Sequence, residues 1–299
     1  MSLVIVGSLA FDTIETPTER KERIIGGSCS FAALAASYFT SPQIVAVIGE
    51  DFPQEFISLL NSRGVDTRGV TREKGKTFHW EGRYGDDPNQ RTTIRTDLNV
   101  FQDFKPLLLP DYTAADIVFL GNIDPDLQAE IRRQAREPRL VAMDTINLWI
   151  NTKPEALVRV LKEVDIFFAN DEEVKMIAGE LNLIKAGHAL LSMGPSLVVI
   201  KKGEHGALLL GKDFMFGVMA YPCESVIDPT GAGDSFAGAF LGYLDRTGSF
   251  LPEDFRKAAA YGSVLASFTI EDFSVDRLKG ISDQEIEDRL QALKNLVIF

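Results

Sequence analysis

Short, continuously apolar runs that alternate with helical stretches constrain this chain more than any other feature. "LVIVGS" (3–8), "QIVAVIGE" (43–50), "DIVFLGN" (116–122), "RLVAMD" (139–144), "DIFFAN" (165–170) and "SLVVIKKG" (196–203) show no polar alternation. A strand reads this way when both of its faces are buried, as in a parallel sheet covered by helices on each side. Between these runs lie stretches of helical character: "SFAALAASYF" (30–39), "PQEFISLLNSRG" (53–64, closed by Gly64), and residues 125–136, 154–163, 171–180 and 182–193. The rhythm predicts an α/β fold with a parallel sheet between helical layers.

Two segments break that rhythm. Residues 9–25 are polar and strand-like, and residues 66–100 alternate polar and bulky side chains without a helical period. Both rejoin the main body, near Gly26-Gly27 and near residues 106–107, so they are expected to form one small β-sheet lid within a single domain spanning 1–299. From 231 onward the chain is mostly helical.

Composition excludes several classes of partner. With 31 Lys and Arg against 43 Asp and Glu, the formal charge is −12, which is the wrong sign for binding a nucleic-acid backbone. The two cysteines, Cys29 and Cys223, have no metal-ligand spacing and read as free thiols. No apolar run approaches the length of a membrane span, and the first residues run directly into a strand rather than a leader. A cytoplasmic location and no membrane partner are expected.

The run "DPTGAGDSF" (228–236) opens a helix, "FAGAFLGYL", that is apolar almost all round and so belongs between layers. It lacks the spacing of a P-loop, and it stands far from the first strand, where a dinucleotide fingerprint belongs. Gly231-Ala232-Gly233 allows close backbone approach at a helix start, where unpaired amides and the helix dipole favour an anion. Asp234 then reads in two ways. As a plain helix cap it contributes about 1 kcal/mol. A cap alone, however, needs no glycines before it, and glycines there cost backbone entropy. As a general base it would take the proton from a hydroxyl while the amides of Gly231, Ala232 and Gly233 hold a transferring phosphoryl group.

"DPTGAGDSF" resembles the C-terminal signature of the ribokinase family, also called the PfkB family of carbohydrate kinases. The resemblance implies a ribokinase-like three-layer α/β/α sandwich with a small β-sheet lid, ATP and Mg²⁺ as cofactors, Asp234 as the catalytic base, and the amides of Gly231, Ala232 and Gly233 as the anion hole. Other stretches are similar to the family in the same order along the chain. "GSLAFD" (7–12) resembles its first-strand motif, which assigns Asp12 to substrate hydroxyls, and "IGGSCSFAALAA" (25–36) resembles its double-glycine signature, with Gly26 and Gly27 as hinge and substrate contact. "NDEE" (170–173) is similar to its Asn-x-x-Glu motif, which puts Asn170 and Glu173 near Mg²⁺ and the phosphates. "KKGEHG" (201–206) looks like the turn beside the nucleotide, with Gly203 and Gly206 at the matching positions. Taken without the resemblance, Asp12 is a turn former, Gly26-Gly27 a loop before a helix, and "NDEE" a solvated helix start. Lys201 is then either a surface charge or a counter-charge to phosphate. The resemblance also leaves open a monovalent cation near the Asp228 loop and a homodimer formed through the lid.

Two departures bear on the acceptor. The double-glycine signature carries an Asn four residues after its second glycine, where this chain has Phe31. The residue two before the first-strand Asp is often Asn as well, and here it is Ala10. Polar contacts are lost while Phe11, Phe31, Phe78 and Trp80 stand in regions expected to line the pocket, which favours discrimination by shape and stacking. Arg95, Asn99, Asp144 and Asn147 are further candidate substrate contacts. The expected activity is ATP- and Mg²⁺-dependent phosphorylation of a sugar hydroxyl. The alternatives are an adenosine- or cytidine-like nucleoside kinase of the same family, and, from another class, a sugar-sensing binding protein without catalysis.

Overall fold

Both faces of the first strand are buried, and the architecture follows from that. In β1 (Leu3–Val6), Leu3 and Ile5 join one apolar core while Val4 and Val6 join another on the opposite side. The computed structural model describes residues 1–89 and 91–297; Gln90, within the predicted lid segment, and the last two residues of the predicted domain lie outside the described residues.

After β1 come β2 (Ala10–Glu15), β3 (Arg20–Gly26), α1 (Ser28–Ala36), β4 (Gln43–Ile48), α2 (Gln54–Ser62), β5 (Asp66–Arg72), β6 (His79–Tyr84) and β7 (Arg91–Asp97). The middle of the chain supplies β8 (Ile117–Leu120), α3 (Pro125–Gln134), β9 (Leu140–Met143), α4 (Asn147–Thr152), α5 (Pro154–Leu161), β10 (Ile166–Asn170), α6 (Asp171–Ala178) and α7 (Leu183–Met193). It ends with β11 (Leu197–Lys201), β12 (Ala207–Gly211), β13 (Phe214–Val218), α8 (Ala232–Thr247), α9 (Pro252–Thr269) and α10 (Asp283–Asn295).

The main sheet has the order β13-β12-β11-β10-β9-β8-β1-β4-β5, parallel from β11 through β5, with β12 antiparallel to both of its neighbours. Helices α1, α2, α8, α9 and α10 cover one face, and α3, α5, α6 and α7 cover the other, giving three layers. The chain moves outward from β1 to β4 and β5, then returns to β8 on the other side. The order therefore reverses between β1 and β8, and in open α/β sheets the crevice at such a reversal, beyond the strands' carboxyl ends, is where ligands bind.

Helices α1 and α8 approach unusually closely because small residues face one another. A Cβ on Gly238 would overlap the backbone of Ala32, and one on Gly242 would come within 3.0 Å of the Ala36 backbone. This seam sets the amino ends of both helices side by side.

The lid is a second sheet in the order β3-β2-β6-β7. Strand β2 runs antiparallel to β3 and parallel to β6, which pairs antiparallel with β7. One correction applies to the predicted lid segment 66–100: its first part, β5, pairs parallel with β4 and closes the edge of the main sheet. Polar side chains alternate along β5 because an edge strand keeps one side in water, which mimics a lid strand in the sequence. The β12–β13 hairpin and the short helix α4 are likewise additions to the sequence reading.

Candidate active site

Gly231 starts α8 in the left-handed region, with φ of 79°, and its side-chain-free face lies on the ring of Phe31, where any Cβ would overlap. Phe31 is therefore buried behind the turn rather than standing in an open pocket wall. Asp234 is the third residue of α8 and makes no capping hydrogen bond. The Ala232 amide points back at the Pro229 carbonyl, 3.3 Å away, while those of Gly231, Gly233 and Asp234 meet no acceptor among the described residues. A turn with open amides at the positive end of a buried helix has the geometry of a candidate anion cradle. Asp234 itself is half-buried, crowded by protein yet open to the cleft. Burial first, then the charge of Asp144, raises its pKa to about 7, against the pull of Lys201 and Arg91.

Asp12 rises from β2 onto Gly26, where a Cβ would collide with its carboxylate, and the Gly27 amide donates to it. Gly27 has φ of 93° and would carry a Cβ into the Ser8 carbonyl, so the double glycine fits the chain closely between β2 and the carboxylate. Burial, followed by the charges of Asp228 and Asp234, lifts Asp12 to about 8, with Arg91 opposing. Asp228 is buried, accepts from the Thr230 amide at 2.9 Å, and is also raised, mainly by burial.

On the other flank, Asn170 and Glu173 form a reciprocal capping box at the start of α6. The Asn170 side chain accepts from the Glu173 amide, and Glu173 Oε2 accepts from the Asn170 amide, each at 2.8 Å. The second Glu173 oxygen takes no donor among the described residues. Burial raises Glu173 to about 7, Lys201 opposes, and Asp144 adds to the rise. Lys201 at the end of β11 binds Asp144 across 2.6 Å, and Asp144 also accepts from its neighbouring Thr145 amide at 2.8 Å. Gly203 lies under the lid turn, against Asn89, while Gly206 is held by the exit of β13. Among the described residues no three His, Cys, Asp or Glu side chains gather as a metal cage.

The lid brings further residues over this floor. Asp12 and Trp80 are register partners on β2 and β6, and Trp80 lies flat on Gly82, packed with Ile14 and Tyr84 on the same face. The Tyr84 hydroxyl meets Thr230 Oγ1 at 3.0 Å, tying the lid to the loop before α8. Arg91, paired with Tyr84 across β6 and β7, has its guanidinium 5.6 Å from the Trp80 ring and influences Asp12, Asp234 and Glu173 alike. It went unnoticed in the sequence; with Tyr84 fixed on the inner face, strand pairing would have pointed to it.

Other sequence candidates are turned elsewhere. A bulge between Glu81 and Gly82 shifts the register of β7, and Arg95 pairs with Asp97 on the exposed side. Asn99 donates to the Thr77 carbonyl at 2.9 Å and serves the local turn. Asn147 is exposed at the start of α4, and the Asp144 carboxylate is occupied by Lys201.

Open amides at the start of α8, an unpaired carboxylate beside them and a small second sheet above match the arrangement expected of a ribokinase-like kinase. The chain belongs to the pfkB family of carbohydrate kinases, whose family model matches residues 2–278. It is 30% identical over 255 residues to the cytidine kinase of Thermococcus kodakarensis, covering 82% of this chain and 89% of that protein. The nucleoside kinase of Burkholderia thailandensis, solved in complex with inosine, superposes with a TM-score of 0.82 at 18% identity, over 98% of this chain and 99% of that one. An E. coli protein described as a ribokinase II, solved with ATP and Mg²⁺, gives 0.77 at 19% identity, over 97% and 99%. Membership makes the chain a phosphotransferase with an alcohol acceptor, a sugar or a nucleoside. Among the described residues, no helix is long and apolar enough to cross a membrane.

Proposed function

We propose that this kinase transfers the terminal phosphoryl group of ATP to a sugar hydroxyl of a nucleoside. The observation that carries the choice of acceptor is the pairing of Asp12 with Trp80 on neighbouring lid strands. A carboxylate suited to ribose hydroxyls stands beside an aromatic plane suited to a base, and such stacking contributes about 0.5–1.5 kcal/mol beyond buried area. The cytidine kinase of Thermococcus kodakarensis and the inosine complex of the Burkholderia enzyme support the same choice. Where the family signature carries polar residues this chain has Ala10 and Phe31, both buried away from the cleft, so neither position offers a free sugar a hydrogen bond.

The residues present fit ATP and Mg²⁺ in kind. The open amides of Gly231, Gly233 and Asp234 suit phosphate oxygens, and the free oxygen of Glu173 suits a metal that keeps most of its own waters. The bound metal would supply charge neutralisation on the phosphates. Asp12 orients the acceptor by accepting from its hydroxyls, and the lid face around Trp80 excludes water. Asp234 takes the proton of the attacking hydroxyl, for which a pKa near neutrality is well matched. The backbone amides then hold the charge that builds on the phosphoryl oxygens.

The test is a phosphoryl-transfer screen of cytidine, inosine, adenosine, ribose and fructose with ATP and Mg²⁺. Nucleosides are expected to exceed free sugars in kcat/KM by about two- to tenfold, the scale of one stacking contact. A free sugar outperforming every nucleoside overturns the choice of acceptor.

A further inference from the structure

Lys201 stands where the account of cradle and base leaves a charge unused. Its side chain runs against the first turn of α8, with Nζ 3.1 Å from the position of a Cβ on Gly233. That is the turn whose Gly231, Gly233 and Asp234 amides have no acceptor among the described residues. Any larger residue at 233 would crowd the ammonium group from the side of the cradle. A pair made only to neutralise itself needs no such opening.

The surroundings keep the ammonium charged. Burial works against the charge, but Asp144, Glu173 and Asp234 outweigh it and raise the Lys201 pKa. The Asp144 side chain is only 4% exposed and that of Lys201 18%, so the ion pair leans toward the cleft on its lysine side. Asp144 is the one carboxylate within ion-pair distance of the ammonium, while the charges of Glu173 and Asp234 act on it from the cleft side.

We propose that Lys201 is a catalytic residue: its ammonium group rests on Asp144 and turns to the transferring phosphoryl group when nucleotide fills the cradle of α8. The inference rests on the kinase reading above. In the transfer, the bond between the γ-phosphorus and the bridging oxygen of ATP breaks while the acceptor oxygen bonds to phosphorus. The acceptor's proton passes to Asp234, and the electron pair of the broken bond leaves on ADP. Lys201 remains an ammonium ion throughout and offsets the charge on the phosphoryl oxygens. Asp144 is a positioning residue that keeps the ammonium beside the cradle.

The test compares Lys201→Met, Lys201→Arg and the double variant Lys201→Met/Asp144→Asn. Each is assayed with the best acceptor from the screen, and each is titrated calorimetrically with ADP and with β,γ-imido ATP. Lys201→Met is expected to lose about 10²–10³ in kcat, the scale of one transition-state contact. Its affinity for β,γ-imido ATP should fall at least about tenfold, while its affinity for ADP stays within about threefold. Lys201→Arg recovers part of kcat. In the double variant the Asp144 carboxylate no longer stands without its ammonium partner, so thermal stability returns while kcat does not. Three results overturn the proposal: recovery of kcat in the double variant, equal weakening of both nucleotides, or an unchanged kcat in Lys201→Met. A wild-type protein that neither turns over nor binds β,γ-imido ATP sinks the kinase reading and this inference with it.

Discussion

Replacing Gly231 with alanine adds one methyl group at the most confined point of the site. The backbone there has φ of 79°, a region that costs a residue bearing a Cβ about 1–2 kcal/mol. The methyl group would also overlap the face of Phe31, which is 1% exposed and has no room to swing aside. Overpacking of that kind costs about 1–3 kcal/mol. The two sum to about 2–5 kcal/mol, less than the about 5–15 kcal/mol that holds a typical protein together. Gly231→Ala is therefore expected to fold, with a melting temperature lower by about 4–20 °C at about 2–4 °C per kcal/mol. To relieve the overlap the backbone at 231 must lift, which displaces its amide from the cradle. A misplacement near 1 Å costs about 10²-fold in rate. Calorimetric melting and kcat, measured well below the transition, read the two effects separately. Adding Phe31→Leu should return the share of stability lost to the ring but not the share lost to φ. Wild-type kcat in Gly231→Ala would refute the assignment of this amide to the phosphoryl group, and an unchanged melting temperature would refute the packing argument.

Asp234→Asn should keep its fold and lose about 10²–10⁴ in kcat, because an amide cannot accept the acceptor's proton; wild-type turnover would leave Asp234 without a catalytic role. In the unmodified enzyme the same group predicts that kcat/KM falls as pH drops through about 7, where Asp234 becomes protonated. Stability should move the opposite way. Asp12 near 8, with Asp234 and Glu173 near 7, keep protons that the unfolded chain has already released above its ordinary values of 3.8 and 4.5. The folded state then binds more protons, so stability declines as pH rises from about 4 to about 8. Melting temperatures across that range should fall, and Asp12→Asn should flatten the slope; a rise toward pH 8 would contradict the raised values. Tyr84→Phe removes the lid's bond to Thr230, worth about 1 kcal/mol. Hydrogen exchange in β6 should accelerate and KM for the acceptor rise a few-fold; unchanged exchange would show that the bond does not hold the lid.

The main sheet was legible because burial on both faces leaves a continuous apolar run, as in Leu3–Val6 and Ile166–Asn170. The same rule failed at the edges. Strand β5 keeps alternating polar side chains since only one of its sides is covered, and it was read as lid. The β12–β13 hairpin carries short strands without a helix between them, so the β–helix–β rhythm offered no cue to it. The bulge that turns Arg95 outward is a feature of register, which no local pattern encodes.

The site was harder to read because caps and active sites draw on the same residue types. Asp, Asn, Glu and Gly at a helix start serve equally as structural partners or as chemistry, and the sequence contains no record of which oxygen is already engaged. Free valences separate the two. Asn170 and Glu173 spend one pair of contacts on closing α6 and leave one carboxylate oxygen open, so they are a capping box and a candidate ligand at once. Asp234 spends none: Gly231 takes the capping position, and a carboxylate with no partner is held beside open amides, at a cost that burial makes visible in its raised pKa. An unpaired carboxylate with a raised pKa at the edge of a cleft marks a place where something outside the chain can complete it. The same reasoning divides the lid residues. Arg95 lies on the outer face beside Asp97, away from the site, whereas Arg91 stands over Trp80 within the field of three raised carboxylates. An arginine in that position reduces the mutual repulsion of those carboxylates.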